Sequence, residues 1–123
     1  MAEKQVVVDG LITRYDQSGA GKTVLLLHGW GDDHATFNQV QKSLSHEYSI
    51  VSLDLPGFGG TQSPKHTWGL DDYALFVEHF IEKLNMKVYA IVGHSNGGAI
   101  SVRGMSIGAL KPKKLILLAS SGI

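Results

Sequence analysis

Short, continuous apolar runs separated by stretches with helical spacing constrain the fold of this chain more than any other feature. The runs are TVLLLHG (23–29), YSIVSLD (48–54), KVYAIVG (87–93) and KLILLAS (114–120). Continuous apolar runs of this length are typical of strands covered on both faces. Strands that alternate with helices through short connections predict a mostly parallel, doubly wound sheet with helices on both faces.

An amino-terminal hairpin and two helices are also predicted. Asp9–Gly10 lies between residues 6–8 and 11–15 and favours a tight turn, so an antiparallel hairpin is expected at the amino terminus. Helical periodicity is clearest over residues 70–84. A second helix is predicted to span about residues 96–110, with Pro112 ending it.

Another helix is predicted between the first two apolar runs. Asp33 or His34 can begin it. One stripe of this helix would carry Phe37, Val40, Gln41 and Leu44.

Composition excludes several classes of protein. The 123 residues suffice for one domain, and 43% hydrophobic with 18% charged residues is typical of a globular chain. Eleven basic residues balance eleven acidic ones, so we expect no nucleic-acid partner. Cysteine is absent, and no apolar run approaches the length of a membrane span. A cytoplasmic location without membrane association is the resulting expectation.

The pattern G-x-S-x-G occurs at Gly93, Ser95 and Gly97. It describes a sharp turn that raises a serine hydroxyl above the end of a strand, with glycines where side chains would not fit. Here it follows a predicted buried strand and precedes a predicted helix, which is the context that the motif requires. We interpret Ser95 as a nucleophile; a structural serine at a tight turn is the alternative.

Three motifs in this order make the chain similar to the α/β-hydrolase superfamily. LLLHGWG (25–31) resembles the loop after the third strand, DLPGFG (54–59) the turn after the fourth, and GHSNGG (93–98) the nucleophile elbow after the fifth. The resemblance is closest to the branch of bacterial esterases, haloperoxidase-like enzymes and carbon–carbon bond hydrolases. Dehalogenases of this fold carry aspartate at the elbow, so Ser95 argues against them.

The resemblance implies a site without metal or other cofactor that acts on a small ester or acyl substrate. Ser95 would be the nucleophile, and the backbone amides of Trp30 and Asn96 would hold the oxyanion. Structural roles are implied for the loop and elbow residues Gly93, His94, Gly97, His28 and Gly29. Trp30 and Trp68 are candidates to line a substrate pocket, with core or loop packing as the alternative for Trp68.

The acid and the histidine of the family's triad follow the serine along the chain. Residues 96–123 contain no Asp, Glu or His, and they contain no cap region. We therefore expect residues 1–123 to form a single partial α/β-hydrolase domain, truncated after about the sixth strand and nearly inactive alone. Its last strand would be an exposed hydrophobic edge, open to a complementary C-terminal half or to self-association.

Three hypotheses about function follow. The chain is the amino-terminal part of a serine hydrolase; it is a non-catalytic, hydrolase-derived binding module or one half of a split protein; or an upstream histidine, most plausibly His28, replaces the missing base. Asp54 is interpreted as a turn residue, with a triad acid as the weaker alternative. The remaining polar candidates are interpreted as surface, packing or loop residues: His34, His46, His66, His79, Lys111, Lys113 and Lys114.

Overall fold

The computed structural model describes residues 2–29 and 38–118. Along the chain these form β1 (Ala2–Val8), β2 (Leu11–Ser18), β3 (Thr23–Leu27), α1 (Asn38–Leu44), β4 (Ser49–Leu53), α2 (Leu70–Lys83), β5 (Val88–His94), α3 (Asn96–Ser106) and β6 (Lys114–Leu118). The alternation predicted from the apolar runs is therefore present.

All six strands join one sheet in the order β1-β2-β4-β3-β5-β6. β2 is antiparallel to both β1 and β4, whereas β3, β4, β5 and β6 pair in parallel. The prediction of a mostly parallel sheet with an antiparallel hairpin is confirmed. We name the side where the four parallel strands end the carboxyl edge, and the side where they begin the amino edge.

The hairpin turns at Asp9 and Gly10, which have φ values of 50° and 78°. Two successive residues with positive φ make the kind of turn that matches the twist of antiparallel strands. β1 and β2 extend beyond the predicted strand residues and pair from Ala2 with Gln17 to Val8 with Leu11. A hydrogen bond of 2.7 Å from the His79 ring to the Asp9 carboxylate joins the hairpin turn to α2.

α2 and α3 cover one face of the sheet. The buried side of α2 consists of Tyr73, Ala74, Phe76, Val77 and Phe80. These residues belong to the larger apolar core, in which the ring of Phe80 meets Tyr15 of β2 edge-to-face at 5.3 Å. At the start of α2, the Gly69 N–H donates to the Asp72 carboxylate at 2.9 Å, which satisfies one donor at the helix end.

α1 lies on the opposite face, where a smaller apolar cluster contains Val24, Leu26 and Ile50 with Leu44 packed against it. Helices therefore cover both faces, as predicted. Gln41 is fully buried, and its side-chain amide donates to the Ser18 hydroxyl at 3.2 Å. The predicted helix start at Asp33 or His34, and Phe37, lie outside the described residues.

α3 ends at Ser106, earlier than the predicted end near Leu110. Gly108 has a φ of 78°, a left-handed conformation that terminates helices. The Leu110 N–H then donates to the carbonyl of Gly104 at 3.0 Å and closes the turn. Pro112 therefore follows the helix end and does not cause it.

β6 is the outer strand of the sheet that the described residues form. Ile116 and Leu118 are 47% and 40% exposed, respectively, so the outer strand β6 is apolar and accessible in the described part of the chain. The last two residues of the predicted strand, 119 and 120, lie outside it.

Candidate active site

Ser95 occupies the junction between β5 and α3 at the carboxyl edge. Its φ of 56° and ψ of −121° are unusual for a residue with a side chain. Such a conformation costs about 1–3 kcal/mol and persists where the surrounding structure enforces it. Here the Ser95 N–H donates to the Leu118 carbonyl at 3.2 Å, and the Ser95 carbonyl accepts the Gly98 N–H at 2.9 Å.

Glycines surround this turn because no Cβ would fit. A Cβ on Gly93 would lie 2.6 Å from a backbone carbon of α3, and one on Gly97 would lie 2.6 Å from the His28 carbonyl oxygen. A Cβ on Gly29 would lie 2.7 Å from the Cβ of Ser95. The loop after β3 is thus in close contact with the serine, and the glycine spacing of the motif has a steric cause.

Asn96 begins α3, so its backbone amide lies in the first turn of an 11-residue helix directly after Ser95. The amino end of a helix carries a partial positive charge, which favours a developing oxyanion. Within α3, the Ser101 hydroxyl donates to the Gly97 carbonyl at 2.7 Å. Trp30, the other predicted donor, lies outside the described residues.

His28 is fully buried between the loops that follow β3 and β4. Its Nε2 accepts the Leu55 N–H at 2.8 Å, and its Nδ1 lies 2.9 Å from the Gly29 carbonyl oxygen. A carbonyl can only accept, so Nδ1 carries the proton and the ring is neutral. The lone pair on Nε2 is engaged by the backbone, which leaves the ring without a site to accept a proton from Ser95.

His94, the last residue of β5, is half-buried and pairs with Leu118 of β6. His46 and His66 are exposed, and His79 binds Asp9. The hydrogen bond that the His79 ring donates to the Asp9 carboxylate raises the pKa of His79. His34 lies outside the described residues. Across residues 2–29 and 38–118, no group of three histidine or acidic side chains is arranged to hold a metal ion.

Asp54 follows β4 at the carboxyl edge, and its carboxylate is fully buried. It accepts the Gly60 N–H at 2.9 Å and lies 3.4 Å from the Arg14 guanidinium. The Asp54 carbonyl accepts the Thr61 hydroxyl at 2.7 Å. These contacts hold the turn after β4, in agreement with the turn interpretation of Asp54.

The ionic cluster around Arg14 was not predicted. Besides Asp54, the guanidinium of Arg14 contacts Glu3 at 2.6 Å and Asp16 at 3.8 Å. The hydrogen bond with Glu3 is the main cause that raises the pKa of Arg14. Side chains alternate along a strand, so Arg14 and Asp16 lie on the same face of β2. The sequence does not indicate that Asp54, 40 positions after Arg14, completes the cluster.

The part of the chain that the structure describes contains no helix long and apolar enough to cross a membrane.

Comparisons with known proteins agree with this geometry. The sequence profile of the α/β hydrolase fold matches residues 22–120. The chain is 31% identical, over 98% of its length, to 43% of the 2-hydroxy-6-oxo-6-(2'-aminophenyl)hexa-2,4-dienoic acid hydrolase of Metapseudomonas resinovorans. The chain spans a similar or smaller share of other relatives. For example, it spans 34% of an uncharacterized protein of Mycobacterium tuberculosis.

Solved structures are similar over nearly the whole chain. A membrane phospholipase A superposes with a TM-score of 0.93 at 29% identity, covering 99% of this chain and 40% of that protein. A putative lipase from Acinetobacter baumannii superposes with a TM-score of 0.91 at 30% identity, covering 99% and 42%, respectively. The profile match, the strand order and the turn at Ser95 lead to one conclusion: the chain belongs to the α/β hydrolase fold family.

Proposed function

We propose that Ser95 is the nucleophile of a serine hydrolase that acts on carboxylic esters or on related acyl or carbon–carbon substrates. The observation that carries the proposal is the backbone of Ser95, a non-glycine residue with a φ of 56° between a strand and a helix. A turn of this kind costs free energy, and strained conformations cluster at active sites. Family membership and the hydrolase relative support the same assignment.

In the proposed reaction, the Ser95 oxygen bonds to the substrate carbonyl carbon, and the carbonyl oxygen becomes an oxyanion. The backbone amides of Asn96 and Trp30 donate to this oxygen. Loss of one such donor typically costs about 3 kcal/mol of transition-state stabilisation. The carbonyl re-forms as the bond to the leaving group breaks, and the leaving group departs with the proton that a base took from the Ser95 hydroxyl. Water, deprotonated by the same base, then attacks the acyl-enzyme, and that proton returns to Ser95 as the acid is released.

The proton transfers require a base and an acid that residues 96–123 do not contain. His28 is poorly suited to replace the base, since both ring nitrogens face backbone partners. We therefore propose that the two groups come from residues other than 1–123, either in a longer chain or in a complementary partner. The coverage of 43% of the Metapseudomonas hydrolase supports this. Without its histidine, a serine triad loses about a million-fold in turnover.

The second candidate is a non-catalytic binding module of hydrolase ancestry. It is favoured by the exposed apolar strand β6, which a partner strand could cover. In that case the strained serine would be a remnant of an ancestral enzyme.

Fluorophosphonate labelling tests the two candidates on two proteins: the 123-residue chain, and the product of the complete reading frame that encodes it. We expect the longer protein to be labelled and to hydrolyse an activated ester, and the 123-residue chain to do neither. Ser95→Ala should abolish labelling of the longer protein, whereas the matched control Ser106→Ala, at the exposed end of α3, should leave it unchanged.

Two results would overturn the proposal. Turnover by the 123-residue chain would mean that it contains its own base. A complete reading frame that supplies no acid and no histidine after Ser95, with no labelling of its product, would support the binding module.

A further inference from the structure

A cleft of about 490 Å³ opens at the amino edge of the sheet, where the segments that lead into β3, β5 and β6 meet. Its walls carry Lys22, Lys87 and Lys113, and its lining includes Tyr89. These lysines come from three separate parts of the chain, and each precedes a different parallel strand. The cleft is therefore a product of the sheet topology.

Positive charge is concentrated around Tyr89. The Lys22 ammonium lies 4.5 Å from the centroid of the Tyr89 ring, and the Lys114 ammonium lies 5.6 Å from it. The hydrogen bond from Lys114, with the nearby charges of Lys22 and Lys113, lowers the pKa of the Tyr89 phenol. Stabilisation of a phenolate indicates that this position favours negative charge.

No carboxylate neutralises these lysines within the described residues. The ion pairs found there involve Arg14, His79 and Arg103, and none involves the three lysines of the cleft or the neighbouring Lys114. Several like charges held together repel one another unless an anion binds among them. The cleft thus offers an anionic ligand several ammonium groups that have no carboxylate partner.

The positive region is small. An adjoining hollow shares Lys87 and Lys113 with the cleft but also contains Glu78 and Glu82. These carboxylates limit the favourable potential on that side. With eleven basic and eleven acidic residues, the chain has no net positive charge to attract a polyanion such as nucleic acid. The volume of the cleft and the small extent of its positive region favour a small ligand with a compact, multiply charged group.

We propose that this cleft binds a small soluble molecule that carries a phosphate or diphosphate group, held by Lys22, Lys87, Lys113 and Lys114. Lysine binds phosphate as a point charge, and several lysines can share the oxygens of one group. The site is separate from Ser95. β5 runs from Val88 beside the cleft to His94 beside the serine, and at ~3.3 Å per residue this separates the two by roughly 20 Å.

Titration of the 123-residue chain with pyrophosphate, followed by backbone amide NMR shifts, tests this proposal. We expect saturable shifts confined to the residues around the cleft, and weaker binding at higher salt concentration. Lys22→Gln and Lys113→Gln should each weaken binding by about tenfold, the loss expected for one charge-assisted hydrogen bond. Lys65→Gln, which removes an exposed lysine outside the cleft, is the matched control and should bind like the wild type.

The proposal fails if pyrophosphate causes no saturable shifts, or if Lys65→Gln weakens binding as much as the cleft variants do. It also fails if the chain binds vesicles that contain phosphatidic acid but does not respond to pyrophosphate, because the ligand would then be a membrane surface. None of these outcomes depends on Ser95 chemistry, so the hydrolase proposal stands or falls separately.

Discussion

The two ends of β5 lie at opposite edges of the sheet and are built by different means. At the carboxyl end, Ser95 adopts a φ of 56°, and Gly93 and Gly97 fit where a Cβ would meet backbone atoms. At the amino end, Lys22 and Lys114 gather around Tyr89 without such steric demands. The first region depends on backbone geometry and the second on the charges of exposed side chains.

This difference predicts unequal tolerance to substitution. In a close-packed core, atoms cannot move to relieve a clash with the backbone without a large loss of stability. Substitution of an exposed lysine has little effect on stability. Substitutions at the carboxyl edge should therefore alter the free energy of unfolding, and those at the amino edge should mainly alter titration and binding.

The largest effect is expected from the ionic cluster at the carboxyl edge. Arg14→Leu removes the cation beside Asp54, whose carboxylate is fully buried, and leaves that charge without its ion-pair partner. Breaking a buried pair in this way typically costs about 3–5 kcal/mol. Denaturant unfolding of the variant measures the loss in the free energy of unfolding.

Arg103→Leu is the matched control for this cluster. Arg103 contacts Asp71 at 2.5 Å, but both side chains are about half-exposed and their attraction is screened by solvent. We expect almost no change in the free energy of unfolding. Equal losses for Arg14→Leu and Arg103→Leu would show that burial of the Arg14 cluster contributes nothing.

Gly93→Ala should be the next most harmful change. The added Cβ would lie 2.6 Å from the backbone of α3, so β5 and the helix must separate. Overpacking of this kind typically costs about 1–3 kcal/mol. Gly69→Ala is the control, because no atom lies within 4 Å of a Cβ placed there. Thermal or denaturant unfolding that ranks the two variants equally would contradict the steric explanation of the elbow.

Ser95→Gly should stabilise the chain by about 1 kcal/mol, because glycine adopts positive φ without the strain that serine bears. Ser95→Ala keeps a Cβ at the same backbone angles and should bring no such gain. Both variants remove the hydroxyl, so the difference between their free energies of unfolding isolates the backbone strain. No difference between them would mean that the turn at Ser95 is unstrained.

The smallest effect on stability is expected at the amino edge. Lys114→Gln removes the hydrogen bond that is the main cause of the lowered Tyr89 pKa. The phenol should therefore ionise at a higher pH, while the free energy of unfolding stays nearly constant because the substituted Lys114 side chain is exposed. Absorbance of tyrosinate during a pH titration measures this, with Lys65→Gln as the control. An unchanged titration curve would contradict the proposed concentration of positive charge around Tyr89.

The periodicity of apolar residues predicts most of the fold, because each strand and each helix has a characteristic spacing of apolar residues within its own segment of the sequence. The run 23–29 and the stripe over 70–84 correspond to β3 and α2 with small shifts at their ends. The end of α3 was placed too late, because the left-handed conformation of Gly108 depends on how the following turn packs. The motif around Ser95 was predictable for the same reason as the strands: its strand, turn and helix are contiguous.

The cluster around Arg14 and the lysine cleft could not be predicted in this way. Lys113 and Lys114 were interpreted as part of a solvated loop, and nothing in the sequence around them indicates that Lys22 lies across the Tyr89 ring. Parallel pairing of β5 with β3 and β6 brings these residues together.

The sequence by itself determined the alternation of strands and helices, the position of the tight turn at Ser95, and the lack of an acid and a histidine after it. These are properties of neighbouring residues, and chain connectivity alone preserves them. Only the tertiary structure decided that His28 binds two backbone groups, that Asp54 meets Arg14, and that lysines from three segments surround one cleft. Such contacts arise when the strands assemble into the sheet, since strand order and register determine which distant residues become neighbours.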